Sequence, residues 1–266
     1  MEQLKNFKFN KSYGQNFILD TNFLNSVVKL SDVNNSDNIL EIGTGAGTLT
    51  KELAKVCKKI VSYEIDNNLT PIIEDNLKSF NNVNIVFKDI LSVEDEEINN
   101  NFRGESFIVF ANLPYYITTP IIFKFIENPN AAKLIIMVQS EVANRLCAKP
   151  GTKDYGALTV SVNFRADVKI IKRVSRNMFI PAPNVDSCIV EITKQNKYKI
   201  ENYQTLAKLI KSAFHMRRKT LINNLKTDFN KTGEELNQIL TDCNISPAAR
   251  GETLTCGQFV NLANML

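Results

Sequence analysis

Three observations predict an α/β protein with a mostly parallel sheet and a small helical domain after it. From about residue 38, short apolar runs alternate with helix-like segments. The first three of those runs close at glycines or acids, where a strand of an open sheet meets its ligand-facing loop. Beyond residue 195 the strand-like runs stop and helix-length segments take over. Alternation of this kind argues for parallel strands with helices on both faces, because joining two parallel strands needs a crossover.

Taken in order, Asn38–Ile42 is a short apolar strand that runs into glycines, followed by a helical stretch around Thr48–Cys57. Ile60–Ile65 is a second strand, whose helix continues through Leu77. Val83–Phe87 is a third, closed by Asp89. Phe107–Phe110 is a fourth, with a helix through Ile126, and Lys133–Gln139 a fifth, with Glu141–Ala148 helical beyond it. The rhythm then changes. Ala157–Phe164, Val168–Val174 and Cys188–Thr193 read as strands separated by turns, so the sheet is expected to finish with a hairpin-like pair. Lys194–Lys199 is polar and reads as an exposed linker. Tyr203–Phe214, Arg218–Asp228, Gly233–Cys243 and Thr255–Met265 read as helices. The expected division is therefore 1–194 and 195–266.

A chain of 266 residues, 44% hydrophobic and 23% charged, can bury a proper core. No apolar stretch approaches the ~20 residues of a membrane span. The start, Met1 to Lys5, lacks the apolar centre of a secretory signal, so a cytoplasmic protein is expected. Five scattered cysteines, never paired as C-x-x-C, match neither a disulfide framework nor a zinc site. One histidine, His215, argues against a His-based metal centre or a Ser-His-Asp triad, and its basic helical setting makes it a surface residue. No metal, no membrane and a monomer are the expectations.

The net charge of +4 is mild, but it is clustered. Lys5, Lys8 and Lys11 lead the chain; Lys169, Lys172, Arg173 and Arg176 form a second group; Lys211, His215, Arg217, Arg218 and Lys219 a third. Acids gather elsewhere, as in Glu94 to Glu97. One cluster would read as a solvated helix face. Three segregated ones are the footprint of a protein that holds a phosphate backbone.

Glu41-Ile42-Gly43-Thr44-Gly45-Ala46-Gly47 lies between the first strand and its helix. Glycines at alternate positions let the backbone turn tightly and approach a ligand. A dinucleotide fingerprint needs G-x-G-x-x-G, and position 48 is Thr. The spacing G-x-G-x-G suits a ligand with no pyrophosphate to cradle, S-adenosylmethionine over NAD. Glu64, closing the second strand, can accept from both hydroxyls of a ribose, and Asp89, closing the third, from an adenine amino group.

Asn112-Leu113-Pro114-Tyr115 closes the fourth strand. The lone pair of an adenine amino group is delocalised into the ring, so that nitrogen is a poor nucleophile. A side-chain amide oxygen and a backbone carbonyl that accept both N–H bonds favour a tetrahedral, nucleophilic nitrogen. Pro114 removes one backbone donor and fixes its own φ, and Tyr115 offers a flat face to an extruded base. By itself the tetrapeptide reads equally as an ordinary strand-ending turn.

Together these residues resemble a known family, the ribosomal RNA adenine dimethylases, and within it the bacterial small-subunit (16S) branch. The resemblance spans nearly the whole chain. It runs through Lys11-Ser12-Tyr13-Gly14-Gln15-Asn16-Phe17, the glycine turn, Asn112 to Tyr115, and Gln139-Ser140-Glu141-Val142 with Arg145. Phe179-Ile180-Pro181-Ala182-Pro183-Asn184-Val185-Asp186-Ser187 and Phe214-His215-Met216-Arg217-Arg218-Lys219-Thr220-Leu221 complete it. Six separated motifs in the right order carry more weight than any one alone.

The resemblance implies a Rossmann-like, S-adenosylmethionine-dependent methyltransferase domain. Its sheet would have seven strands, mostly parallel with an antiparallel end, with a small helical domain for rRNA binding beyond it. It implies N6,N6-dimethylation of two adjacent adenosines near the 3′ end of 16S rRNA, within a partly assembled small subunit. Donor contacts are implied at Asn16, Ile18, Gly43, Gly45, Glu64, Asp89 and Asn112. Asn112, Leu113, Pro114 and Tyr115 would hold the target base, with Phe179 on its other face unless that ring instead plugs the core beneath its loop. Lys11, Lys172, Arg173, Arg176, Arg217, Arg218 and Lys219 would face RNA. Two positions depart from the family's usual residues: Ile18, where Leu is common, and Tyr116, where Asn is common and whose role stays open. Competing readings are a large-subunit (23S) adenine methyltransferase conferring antibiotic resistance, a DNA adenine methylase, and a non-catalytic RNA-binding module on the same scaffold.

Overall fold

The computed structural model describes residues 14–266, and of Tyr115 the backbone alone. Packing divides the chain into two units. One contains the residues up to Ala143 together with Lys169–Thr193, and the other Asn144–Val168 with Lys194–Leu266. Relative to the expected division after residue 194, residues 144–168 pack with the C-terminal helices.

Seven of the strands were expected from the sequence, and two short ones, Phe17–Ile18 and Phe179–Ile180, were not. In chain order the strands are β1 (Phe17–Ile18), β2 (Asn38–Ile42), β3 (Lys59–Glu64), β4 (Val83–Phe87), β5 (Phe107–Asn112) and β6 (Ala131–Gln139), then β7 (Ala166–Val174), β8 (Phe179–Ile180) and β9 (Ser187–Lys194). Seven of them form one sheet in the order β4-β3-β2-β5-β6-β9-β7, and β1 pairs with β8 apart from it. The pairs from β4 to β6 are parallel, whereas β9 runs antiparallel to β6. Every residue of β2 is buried, as a central parallel strand covered on both faces requires. The crossovers are α2 (Thr48–Ala54) after β2, α3 (Thr70–Leu77) after β3 and α5 (Thr118–Glu127) after β5, and α6 (Ser140–Leu146) follows β6.

Two α-helices of the first unit were not anticipated. α1 (Thr21–Leu30) is capped by Asp20, whose side chain accepts from the Phe23 N–H, and it buries Leu24, Val27 and Val28. α4 (Asp95–Asn100) carries its acids in the first turn, where the helix dipole favours them.

Ala157–Phe164 is a correction. Read as a strand, it forms the helix α7 (Ala157–Asn163). Val160 and Val162 alternate as in a strand, but Val160 and Phe164 are also one helical turn apart. Both enter the core of the second unit beside Leu206 and Leu209. Thr159 Oγ1 accepts from the Gly156 N–H at 3.1 Å and donates to the Arg145 carbonyl at 2.6 Å, fixing the first turn. Tertiary packing here outweighs the strand preference of β-branched residues.

The remaining helices of that unit are α8 (Tyr203–Ala213), α9 (Leu221–Phe229), α10 (Gly233–Asp242) and α11 (Cys256–Met265), around Leu209, Leu225, Leu240 and Phe259. The helix expected from Arg218 begins only at Leu221. Residues 214–219 form turns, so His215 and the neighbouring cations lie on a connection and not on a helix. Asn224 holds that connection by donating to the Ala213 and Met216 carbonyls at 3.1 and 3.2 Å. Among the described residues no helix is long and apolar enough to cross a membrane.

Candidate active site

The strand order reverses direction between β2 and β5, and a crevice opens there beyond the carboxyl ends of the strands. Ile42 lies opposite Tyr63 on one side and Ala111 on the other, so Gly43, Glu64 and Asn112 emerge together. Glu64 pairs with Phe87 of β4, which brings Lys88 and Asp89 to the same rim. A cavity of about 330 Å³ results. Its wall includes Asn16, Ile18, Gly43, Gly45, Glu64, Asp89, Asn112, Leu113, Pro114 and Phe179. All of these residues belong to the first unit.

Gly43 and Gly45 take φ of 83° and 56°, in the left-handed region. A side chain at Gly43 would place its Cβ 3.0 Å from the Asn112 carbonyl oxygen. At Gly45 a Cβ would meet the Phe17 ring at the same distance. The Gly43 N–H donates to the Tyr63 carbonyl at 2.8 Å, and the Gly45 N–H to Glu64 Oε2 at 2.8 Å. Glu64 Oε1 accepts from the N–H groups of Ile65 and Asp66. Three backbone donors thus fix this carboxylate while its lone pairs, about four, leave acceptor capacity for a ligand. Asp89 Oδ1 accepts from the Leu91 N–H at 2.9 Å. No described residue occupies Asp89 Oδ2.

Behind the turn, Glu41 is wholly buried. Thr50 Oγ1 and Ser62 Oγ donate to its Oε2 at 2.6 and 2.7 Å, and Ser62 Oγ also meets Thr44 Oγ1 at 2.6 Å. Its other oxygen has no hydrogen-bond partner. Burial pushes the Glu41 carboxyl up to about 7, against the two hydroxyl bonds that lower it. A neutral acid leaves its unpaired oxygen at lower cost than a carboxylate does.

On the β5 side, Asn112 Nδ2 faces the Asn16 carbonyl at 3.5 Å, the outer limit of a hydrogen bond. Asn112 Oδ1 receives no hydrogen bond from any described residue, which leaves an acceptor at the cavity wall. The Ile18 carbonyl accepts from Thr48 Oγ1 at 2.9 Å. Phe179 lines the cavity yet is only 4% exposed, packed with Ile18, Met137 and Val174. It therefore serves the core beneath its loop as well as the cavity wall. The Tyr115 side chain lies outside what the structure describes.

The basic candidates divide. Arg173, Arg218 and Lys219 are exposed and without a partner among the described residues. Lys172 donates to Ser26 Oγ at 2.5 Å and lies over the Phe23 ring. Arg176 donates to the Asn184 carbonyl at 3.3 Å. Arg217 pairs with Glu252 and donates to the carbonyls of Lys153 and Tyr155, tying three segments of the second unit. Lys11 lies outside the described residues.

Sequence reading missed Ile65 and Leu91, exposed apolar residues on the cavity wall. Their signal was present: each closely follows a strand-ending acid. It also missed Thr44, Thr50 and Ser62, because a buried hydroxyl network has no sequence period. Among the described residues no group of three or more His, Cys, Asp or Glu is placed to hold a metal ion.

Comparison with known proteins agrees with this architecture. A ribosomal RNA small subunit methyltransferase A of Clostridioides difficile (strain 630) is 42% identical over 268 residues, covering 99% of this chain and 93% of that protein. Its namesake in Bacillus cereus (strain B4264) is 42% identical over 268 residues, covering 98% and 92%. A dimethyladenosine transferase from Plasmodium falciparum has a similar crystal structure, with a TM-score of 0.77 and 25% identity, covering 92% of this chain and 95% of that one. The 23S rRNA methyltransferase ErmE shares the fold, with a TM-score of 0.74 and 24% identity over 94% and 99% of the two chains. The model of the ribosomal RNA adenine dimethylase family matches residues 6–266, and the chain belongs to that family.

Proposed function

We propose that this protein dimethylates N6 of two adjacent adenosines near the 3′ end of 16S rRNA, using S-adenosylmethionine, during assembly of the small ribosomal subunit. The observation that carries the reading is one cavity shared by Asn112, with its unused Oδ1, and the glycine turn with its two strand-ending acids. Bound there, S-adenosylmethionine supplies an electrophilic methyl group on a sulfonium. The site fits such a ligand: two carboxylates with spare acceptor capacity suit ribose hydroxyls and an adenine amino group, and the turn lacks the pyrophosphate spacing. Glu64, Asp89, Gly43, Gly45, Asn16 and Ile18 would hold it.

The chain's own contribution is positioning and electrostatics. Asn112 Oδ1 and the Leu113 carbonyl accept the two amino protons of the target adenine. Pro114 adds no competing N–H at the turn, and Tyr115 and Phe179 flank the base. The transferred nitrogen can then lose its proton to water, so no titrating side chain is required. The first unit would carry the chemistry and the donor, and the second would grip rRNA together with Arg173 of the first. The protein would act as a monomer in the cytoplasm.

The test is transfer of labelled methyl from the donor to isolated small subunits, to large-subunit RNA and to DNA. Label is expected as dimethyladenosine in the small subunit. Label confined to the other substrates, or none at all, would sink the assignment. Asn112→Ala should lower turnover by roughly 10²- to 10³-fold, the size of losing one preorganised polar contact, with donor affinity kept within a few-fold.

A further inference from the structure

Tyr116 is 69% exposed although it lines the cavity. It follows Tyr115 in the one-turn 3-10 helix Tyr115–Ile117 at the end of β5. Among the described residues its ring meets no other ring and its hydroxyl has no hydrogen-bond partner. Large aromatic side chains at the rim of a pocket, apolar in body and wet at one end, suit contact with a flat partner.

Its position selects the partner. The other exposed apolar residues on the wall, Ile65 and Leu91, stand beside Glu64 and Asp89 at the ends of β3 and β4. Those belong to the donor half of the cavity. Tyr116 stands on the loop that carries Asn112, Leu113 and Pro114, the acceptor half. A base pulled from an RNA stack into the cavity leaves its neighbour with one bare face, and among the described side chains the uncharged ring of Tyr116 is the exposed aromatic surface nearest in sequence to the acceptor groups.

We propose that Tyr116 is a substrate-positioning residue, the stacking platform for the nucleotide next to the adenosine held in the pocket. The inference rests on the function proposed above and names the substrate element that this rim recognises. Since the two target adenosines are adjacent, the one waiting its turn would be that neighbour in one of the two rounds. Stacking is tolerant of base identity and carries no charge, so its contribution differs in kind from that of Arg173, Arg218 and Lys219.

The experiment compares wild type, Tyr116→Ala and Tyr116→Phe in methyl transfer to isolated small subunits, with donor binding measured separately by calorimetry. Tyr116→Ala should raise KM for the subunits by about 5- to 150-fold, the loss of one base stack, and leave donor affinity at the wild-type value. The salt dependence of subunit binding should keep its slope, because no counterion is released at an uncharged ring. Tyr116→Phe should behave as wild type. An unchanged KM in Tyr116→Ala, or equal damage in Tyr116→Phe, would overturn the platform. A wild-type protein that methylates no RNA would overturn both the platform and the function beneath it. Active wild type with an indifferent Tyr116→Ala removes the platform alone.

Discussion

Asn112 and Glu41 show how burial sorts polar side chains by task. Asn112 is half-buried, with one amide end near the Asn16 carbonyl and the other unspent at the cavity. Glu41 is buried and accepts its hydrogen bonds from Thr50 and Ser62. Its carboxyl, raised from an ordinary 4.5 to about 7, has a consequence for stability. The folded chain binds the proton more tightly than the unfolded one, so this contribution is fully present below pH 4.5. It is lost as pH rises through 7. The difference corresponds to roughly 3 kcal/mol. Thermal unfolding followed from pH 5 to pH 8 should show that decline in wild type and a flatter profile in Glu41→Gln, which has no proton to lose. Parallel profiles would show that Glu41 does not titrate in this range.

At the scale of elements, the turn from β2 to α2 is the piece on which both halves of the site depend. Its three left-handed glycines, Gly43, Gly45 and Gly47, were readable from spacing. The close approach of Gly43 to the Asn112 carbonyl was not, because it requires β5 to lie beside β2 in register. Gly43→Ala would combine a strained φ of 83° with a Cβ 3.0 Å from that carbonyl. Stability should fall by about 1–3 kcal/mol and donor affinity by about tenfold or more, read from unfolding and calorimetry on the same preparation. A variant that binds donor normally would mean the turn has slack that the structure does not suggest. α7 teaches the complementary lesson. Ala157–Phe164 satisfies the strand and helix periods at once, and only the apolar core formed with α8 chooses between them.

Across the whole molecule, the sequence clusters of positive charge overstate the free cations. Lys172, Arg176 and Arg217 are spent partly on holding their own segments, whereas Arg173, Arg218 and Lys219 remain available. Neutralising the latter three together should lower the slope of log affinity for rRNA against log salt by about 2 to 3, as counterion release predicts. Arg217→Ala should instead destabilise the helical unit by breaking its ties to Glu252, Lys153 and Tyr155. An unaltered slope in the triple variant would mean that those residues do not contact rRNA phosphates.

Sequence alone determined the chain order of the seven sheet strands, three of their crossover helices, the glycine turn, and the acids and amide that close the strands. It could do so because burial on both faces writes continuous apolar runs, and because strand ends at a sheet crevice demand particular residue types. Only the tertiary structure decided that residues 144–168 belong with the C-terminal helices, that α7 is helical, and which cations are free. Those outcomes depend on partners distant along the chain, such as Phe164 on Leu206 or Arg217 on Glu252, and local pattern carries no information about them.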